Sequence, residues 1–231
     1  MAAPQSTLEI HGRKTSNKYA YLFISLLLVM AAFPYVDRPG LPSALFRLAG
    51  AVAFLAAVYA VSEKRAQWIT ALVLWCLAGS LNTVLALHPN RRIAIPALVS
   101  TILFLGFTLV SLLRDVLRTK VVNRDTIYGA ITVYLLIAYV WGAAYLLLET
   151  LQPGALALNT TWHPNHSIDW PDCMFFSFVT LTSVGYGDMI PITAQARSLS
   201  IFEAVSGIMY VAILVARLVG LYSAERRQLH D

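Results

Sequence analysis

Long apolar runs dominate this chain, and they exclude a water-soluble fold. A hydrocarbon core about 30 Å thick takes roughly 20 apolar residues per helix. Runs of that kind occupy 19–36, 43–61, 66–87, 92–113, 127–149 and 198–221. Of the 231 residues 58% are hydrophobic and 13% charged, against roughly 25% charged in soluble domains. Such a chain cannot cover itself in water but can sit in lipid, so an all-α membrane protein with six transmembrane helices is expected. The first four runs are joined by very short connections and should form two antiparallel hairpins. Pro39, Gly40 and Pro42 punctuate the first turn, and Glu63, Lys64 and Arg65 the second. His88, Pro89 and Asn90 break the chain before the fourth run, whose first turn tolerates Pro96.

The net charge is +5. Its Lys and Arg residues sit in short clusters between apolar runs, the pattern of membrane topology rather than of a phosphate-binding face, so no nucleic-acid partner is expected. With the N-terminus inside, the cytoplasmic segments hold Arg13, Lys14, Lys18, Lys64, Arg65, Arg114, Arg118, Lys120, Arg124, Arg226 and Arg227. The external segments hold only Arg38, Arg47, Arg91, Arg92 and Arg197. That excess predicts a multi-pass protein with both termini in the cytoplasm. The first apolar stretch is longer than a signal core and no small-residue cleavage site follows it, so a cleaved signal peptide is not expected. After the sixth run only 222–231 remains, so no ion- or nucleotide-sensing module is expected there.

The segment 150–197 does not read as a simple loop. A polar stretch leads to an apolar run from Pro171 to Thr182, and a glycine-rich stretch follows. A run of that length cannot cross a bilayer as a helix, so it should enter and return on the external side. Non-helical backbone at membrane depth is tolerated only where protein or water surrounds it. The glycine-rich stretch is Ser183-Val184-Gly185-Tyr186-Gly187, flanked by Thr180, Thr182 and Asp188. A bare Gly-x-Gly is a flexible turn; this one follows a short apolar helix, between two spans, on the outer side. In that setting it resembles the potassium-channel signature, whose usual first residue is Thr.

The resemblance covers 127–222 and implies a pore domain of outer helix, pore helix, selectivity filter and inner helix. To hold a dehydrated potassium ion, successive backbone carbonyls must point to one axis, whereas an ordinary strand alternates them. Gly185 and Gly187 can take the positive φ this needs. Oxygens of Ser183, Val184, Gly185 and Tyr186 would then bind K+, the permeant ion, with Val184 and Tyr186 packing outward. One chain supplies one such strand, so the resemblance implies a four-fold symmetric homotetramer. The pore helix should begin near Asp172, which can cap its amides. Its C-terminal end would favour a cation in the inner cavity. Gly207 lies where related channels place a hinge, or else eases helix packing. On the same alignment Ile208, Val211 and Val215 face the cavity, and Ala216 and Val219 approach the cytoplasmic gate.

Three departures from the family pattern bear on the filter. Ser183 keeps the hydroxyl of the usual Thr but loses its methyl. Phe175 and Phe176 stand where many relatives carry tryptophan, and phenylalanine has no N–H to donate to Asp188 or Tyr186. Thr180 is left as a partner for Tyr186. A filter less firmly braced than in the indole-bearing relatives is expected.

Residues 19–113 are expected to form a four-helix transmembrane domain resembling a degenerate voltage-sensor domain, between a cytoplasmic segment 1–18 and the pore. No Arg or Lys occurs between Ile93 and Leu113, so little voltage dependence is expected. Residues 114–126 read as an amphipathic linker helix, whose Arg114, Arg118, Lys120 and Arg124 suit anionic headgroups or an ordinary positive-inside cluster. A tail, 223–231, closes the chain. Glu203, in the upper half of the sixth run, is costly in lipid and should face protein or water. Cys76 and Cys173 read as packing residues, and Asn159 and Asn165 match glycosylation acceptors only weakly. No catalytic grouping and no resident cofactor is expected; His163 and His166 lack a clear third ligand. A non-selective cation channel and a potassium transporter are the competing readings. Tyr186 argues against the first, and the lack of internal repeats against the second. Ala196-Arg197 and Ala216-Arg217-Leu218-Val219-Gly220 resemble small prokaryotic channels, which implies a prokaryotic inner membrane.

Overall fold

The computed structural model describes residues 18–33, 41–61, 65–119, 124–158 and 167–228. The elements are α1 (Lys18–Ala32), α2 (Leu41–Ala60), α3 (Arg65–Leu87), α4 (Arg91–Arg118), α5 (Arg124–Leu151), β1 (Leu156–Leu158), α6 (Trp170–Leu181), β2 (Met189–Pro191) and α7 (Ala194–Gln228). The protein is thus mostly helical. Among the described residues four helices are long and apolar enough to cross a membrane: α3, α4, α5 and α7 over Ala194–Arg217. Helix α1 and the Leu48–Ala60 part of α2 are apolar but shorter. Lys120, the histidines at 163 and 166 and the acceptors at 159 and 165 lie outside the described residues.

Helix α5 is the hub, packing against α1, α4, α6 and α7, while α1 pairs with α2 and α3 with α4. Its buried face carries Gly129, Val133, Leu136 and Tyr139 at helical spacing, which offers one continuous apolar stripe to its neighbours. Tyr139 reaches across to donate to the Leu26 carbonyl of α1 at 3.1 Å and meets Phe178 of α6 edge-on at 6.0 Å. Phe54 of α2 stacks on Phe104 of α4 at 4.8 Å. Asn82 of α3 donates to Thr101 of α4 at 3.0 Å, a polar link in an otherwise apolar contact.

Several boundaries differ from the expected ones. Helix α4 starts at Arg91 behind an Asn90 cap, so Pro96 lies inside the helix and cannot supply the amide facing the Arg92 carbonyl. Residues 114–118 of the expected linker are the closing turns of α4, and 124–126 open α5. The exposed Arg114, Arg118 and Arg124 therefore stand on two long helices rather than on one of their own. Arg91 donates to the Leu151 carbonyl at 3.0 Å, so a cation sits where α5 ends and its last carbonyls lack helical partners.

A small two-stranded ribbon, not expected from the sequence, joins the segments on either side of α6. Strands β1 and β2 pair antiparallel with Leu156 opposite Pro191 and Leu158 opposite Met189. Glu149 orders the turn into β1 by accepting from the Gly154 and Leu156 amides at 2.7 and 3.0 Å. The ribbon ties the two chain segments flanking α6 to each other.

Candidate functional site

Helix α6 begins with a reciprocal capping box. Asp169 accepts from the Asp172 amide and Asp172 accepts from the Asp169 amide, both at 3.1 Å, with Pro171 in the first turn. The cap is therefore Asp169, not Asp172. The helix starts at Trp170, which makes Asp172 the third helical residue and returns its carboxylate to the cap's own N–H.

The chain leaves α6 through Thr182, whose amide bonds the Phe178 carbonyl at 3.0 Å. Val184 N–H then bonds back to the Val179 carbonyl at 3.0 Å. The backbone takes positive φ at Ser183 (58°), Gly185 (59°) and Gly187 (81°). Glycine holds such angles without a Cβ clash, whereas serine bears a cost of about 1–2 kcal/mol. Ser183 is the unforeseen member of this set. Residues Ser183 to Asp188 are exposed in the single chain, with Val184 at 53% and Tyr186 at 72%.

The adjacent phenylalanines diverge. Phe175 lies parallel to the Tyr186 ring, 5° between planes and 6.2 Å between centroids. Phe176 points the other way, buried edge-on against Tyr145 at 4.9 Å. Among the described residues Tyr186 makes no hydrogen bond through its hydroxyl, to Thr180 or otherwise. Thr182 donates to the Phe178 carbonyl at 2.6 Å, and Asp188 accepts from the Met189 amide at 3.1 Å.

Helix α7 shows its own chain one narrow stripe: Ala196, Ser200, Glu203, Gly207, Tyr210, Leu214 and Arg217, spaced three and four apart. Gly207 abuts the end of α6, where an added Cβ would run into the Leu181 carbonyl oxygen. Tyr134 donates to the same oxygen at 3.3 Å, and Tyr210 donates to the Ala130 carbonyl at 2.7 Å. Ile208, Val211, Val215, Ala216 and Val219 lie off that stripe and are exposed. Apolar exposure on this scale marks a surface for lipid or for other chains.

Three groupings here have partners that the sequence does not announce. Glu203 is fully buried and accepts from the Tyr145 hydroxyl at 2.6 Å and the Ser177 hydroxyl at 2.5 Å. Trp141 donates to Ser206 at 3.3 Å. Arg217 donates to the Val116 and Thr119 carbonyls at 2.5 and 2.6 Å, closing the C-terminal end of α4 from another helix. An Arg within an apolar run is the only advance signal for the last.

An ion-channel family model matches residues 132–224, the stretch from α5 through α7. The voltage-gated potassium channel Kch of Escherichia coli is 26% identical over 190 residues, 82% of this chain and 41% of that protein. A potassium voltage-gated channel, subfamily A member 5, of Rattus norvegicus is 34% identical over 61 residues, 26% of this chain and 10% of that protein. The potassium channel protein kcv of Paramecium bursaria Chlorella virus 1 is 29% identical over 73 residues, 31% of this chain and 78% of that protein. The chain thus spans less than half the length of the first two relatives. All three are ion channels, not enzymes. With α5, the short α6, the glycine-rich turn and α7 inside the matched stretch, this part of the chain resembles the potassium channel superfamily.

Proposed function

We propose that the chain is one subunit of a homotetrameric, potassium-selective channel. Four Ser183–Gly187 segments surround a common axis and pass dehydrated K+ between rings of backbone carbonyls. The observation that carries this is the Ser183–Gly187 backbone itself. It follows the end of a short capped helix between two membrane helices, with positive φ at Gly185 and Gly187. Its exposure in the single chain supports assembly, because a strand with Val184 and Tyr186 uncovered has no stable place in lipid alone.

On this reading α6 is the pore helix and α5 and α7 are the outer and inner helices. Ile208, Val211 and Val215 line the cavity, Ala216 and Val219 the cytoplasmic constriction, and Gly207 is the close-packing point between inner and pore helices. Helices α1 to α4 form the second transmembrane domain, giving six spans with both termini cytoplasmic in a prokaryotic inner membrane. Arg114, Arg118 and Arg124 are the basic side chains that would meet anionic headgroups, with Lys120, by sequence, a fourth. Conduction is only weakly voltage-dependent: two relatives are named as voltage-gated, but α4 here has no cation between Ile93 and Leu113. Moving a charge through the field contributes about 2.3 kcal/mol per 100 mV, and that stretch holds no such charge to move.

Two measurements on purified protein test the proposal. Native mass measurement should give four copies per particle. Vesicles loaded with KCl should release K+ and exclude Na+; a monomeric particle, or equal fluxes of both ions, would overturn it.

A further inference from the structure

Behind α6, on the side away from Tyr186, three helices share one buried carboxylate. Glu203 of α7 has no accessible surface, nor does Ser177 of α6 or Tyr145 of α5. Each carboxylate oxygen takes one hydroxyl: Tyr145 on Oε2 at 2.6 Å and Ser177 on Oε1 at 2.5 Å. The Ser177 hydroxyl is shared with the Ala138 carbonyl of α5 at 2.8 Å. Tyr145 is held in turn by the edge-on Phe176 ring and lies 3.5 Å from Ser200. Among the described residues Glu203 pairs with no cation, so the grouping is not an ion pair. A carboxylate at this depth disfavours insertion by about 2.5–3.5 kcal/mol, so it is not explained as filler that Leu or Met would supply. Hydrogen bonds do what apolar packing does not: they fix both the rotation of a helix and its position along its axis.

We propose that Glu203 is the positioning residue of the filter, with Ser177 and Tyr145 as its two arms. It holds the pore helix at one depth and rotation, and through that helix the carbonyls of Ser183 to Tyr186. Ser177 lies on the same continuous backbone as Ser183, less than two helical turns before it, so a slip or roll of α6 is passed directly to the first ion site. The front of the helix cannot do this work. Phe175 meets Tyr186 only through ring stacking, and Phe176 is turned away from it. The anchor at the back takes the place of an indole brace at the front. This rests on the potassium-channel reading above.

The test compares wild type with Ser177→Ala, Tyr145→Phe and Glu203→Gln, each as the full chain assembled in bilayers. Ser177→Ala and Tyr145→Phe each delete one hydroxyl with almost no change of shape, so they keep the test open should Glu203→Gln fail to assemble. Expected is a roughly tenfold or greater acceleration of current loss when external K+ is lowered, the size of effect that one lost buried hydrogen bond supplies. The K+/Na+ permeability ratio should fall as well, and amide exchange over 178–186 should quicken. Ser177→Ala and Glu203→Gln should not add, because both open the same contact. Lower thermal stability with unchanged permeability ratio, time course and exchange would show a merely structural contact and overturn the proposal. A wild-type channel that passes Na+ as readily as K+ refutes the selectivity reading instead. The clasp is then judged by exchange over 178–186 alone, and unchanged exchange in Ser177→Ala overturns it.

Discussion

Gly207→Ala separates two roles that one glycine can play. A methyl group built at Gly207 lies 2.9 Å from Leu181 Cδ1 and 3.2 Å from the Leu181 carbonyl carbon, and it runs into the carbonyl oxygen. The Leu181 side chain can rotate away. The carbonyl cannot, because it ends α6 and accepts the Tyr134 hydroxyl at 3.3 Å. Helices α6 and α7 must therefore move apart. Overpacking of this kind costs about 1–3 kcal/mol, and alanine in place of glycine in a helix returns about 1 kcal/mol. A net loss of up to about 2 kcal/mol, felt at Leu181 just before Ser183, changes a two-state equilibrium by up to about 30-fold.

The expected outcome is a fall of that order in single-channel open probability, with a lower melting temperature of the detergent-solubilised protein. Gly106→Ala in α4 is the control, since nothing lies within 4 Å of a Cβ there; it should leave the melt unchanged or raised. A pure hinge at Gly207 would behave differently. Alanine would stiffen the inner helix and alter opening while the melt stayed level or rose. Gly207→Ala with an unaltered melt and unaltered current would refute the close-packing account.

Phe175→Trp places an indole N–H beside Tyr186 and should slow current loss at low external K+; an identical time course in macroscopic recordings would count against it. Arg217→Ala leaves the Val116 and Thr119 carbonyls without their donor and should lower stability by about 1–3 kcal/mol in thermal melts. Arg217→Lys should recover only part of this, because an ammonium cannot fork to two carbonyls as a guanidinium does. Conductance–voltage curves should be shallow, and a slope equivalent to several gating charges per subunit would contradict the reading of α4.

What a sequence reveals in advance follows from how far each interaction reaches along the chain. Membrane helices announce themselves because lipid demands an unbroken apolar run, and α3, α4, α5 and α7 each lie over such a run. Gly185 and Gly187 are legible for a local reason, since both take positive φ and glycine is the residue that supplies it. Ser183 shares that conformation, but nothing in a serine announces it. Asp169 and Asp172 cap each other, and two aspartates three apart do not say which one precedes the helix. Phe175 and Phe176 are equivalent as letters. Adjacent residues on a helix point about 100° apart, so only the packing of α6 sends one to Tyr186 and the other to Tyr145. Glu203 stands out as an anomaly in an apolar helix, yet its partners come from two other helices. Contacts between elements follow no sequence period, which also hides the role of Arg217 at the end of α4.

Selectivity for K+ through the proposed Ser183–Gly187 carbonyl rings can be read from the reversal potential of the purified protein under bi-ionic conditions. With K+ on one side and an equal concentration of Na+ on the other, the current should reverse far from 0 mV, at a potential that opposes K+ flow out of the K+ side. In mixed solutions it should shift by about 59 mV for each tenfold change in K+. A reversal near 0 mV, unmoved by the K+ gradient, would contradict the account.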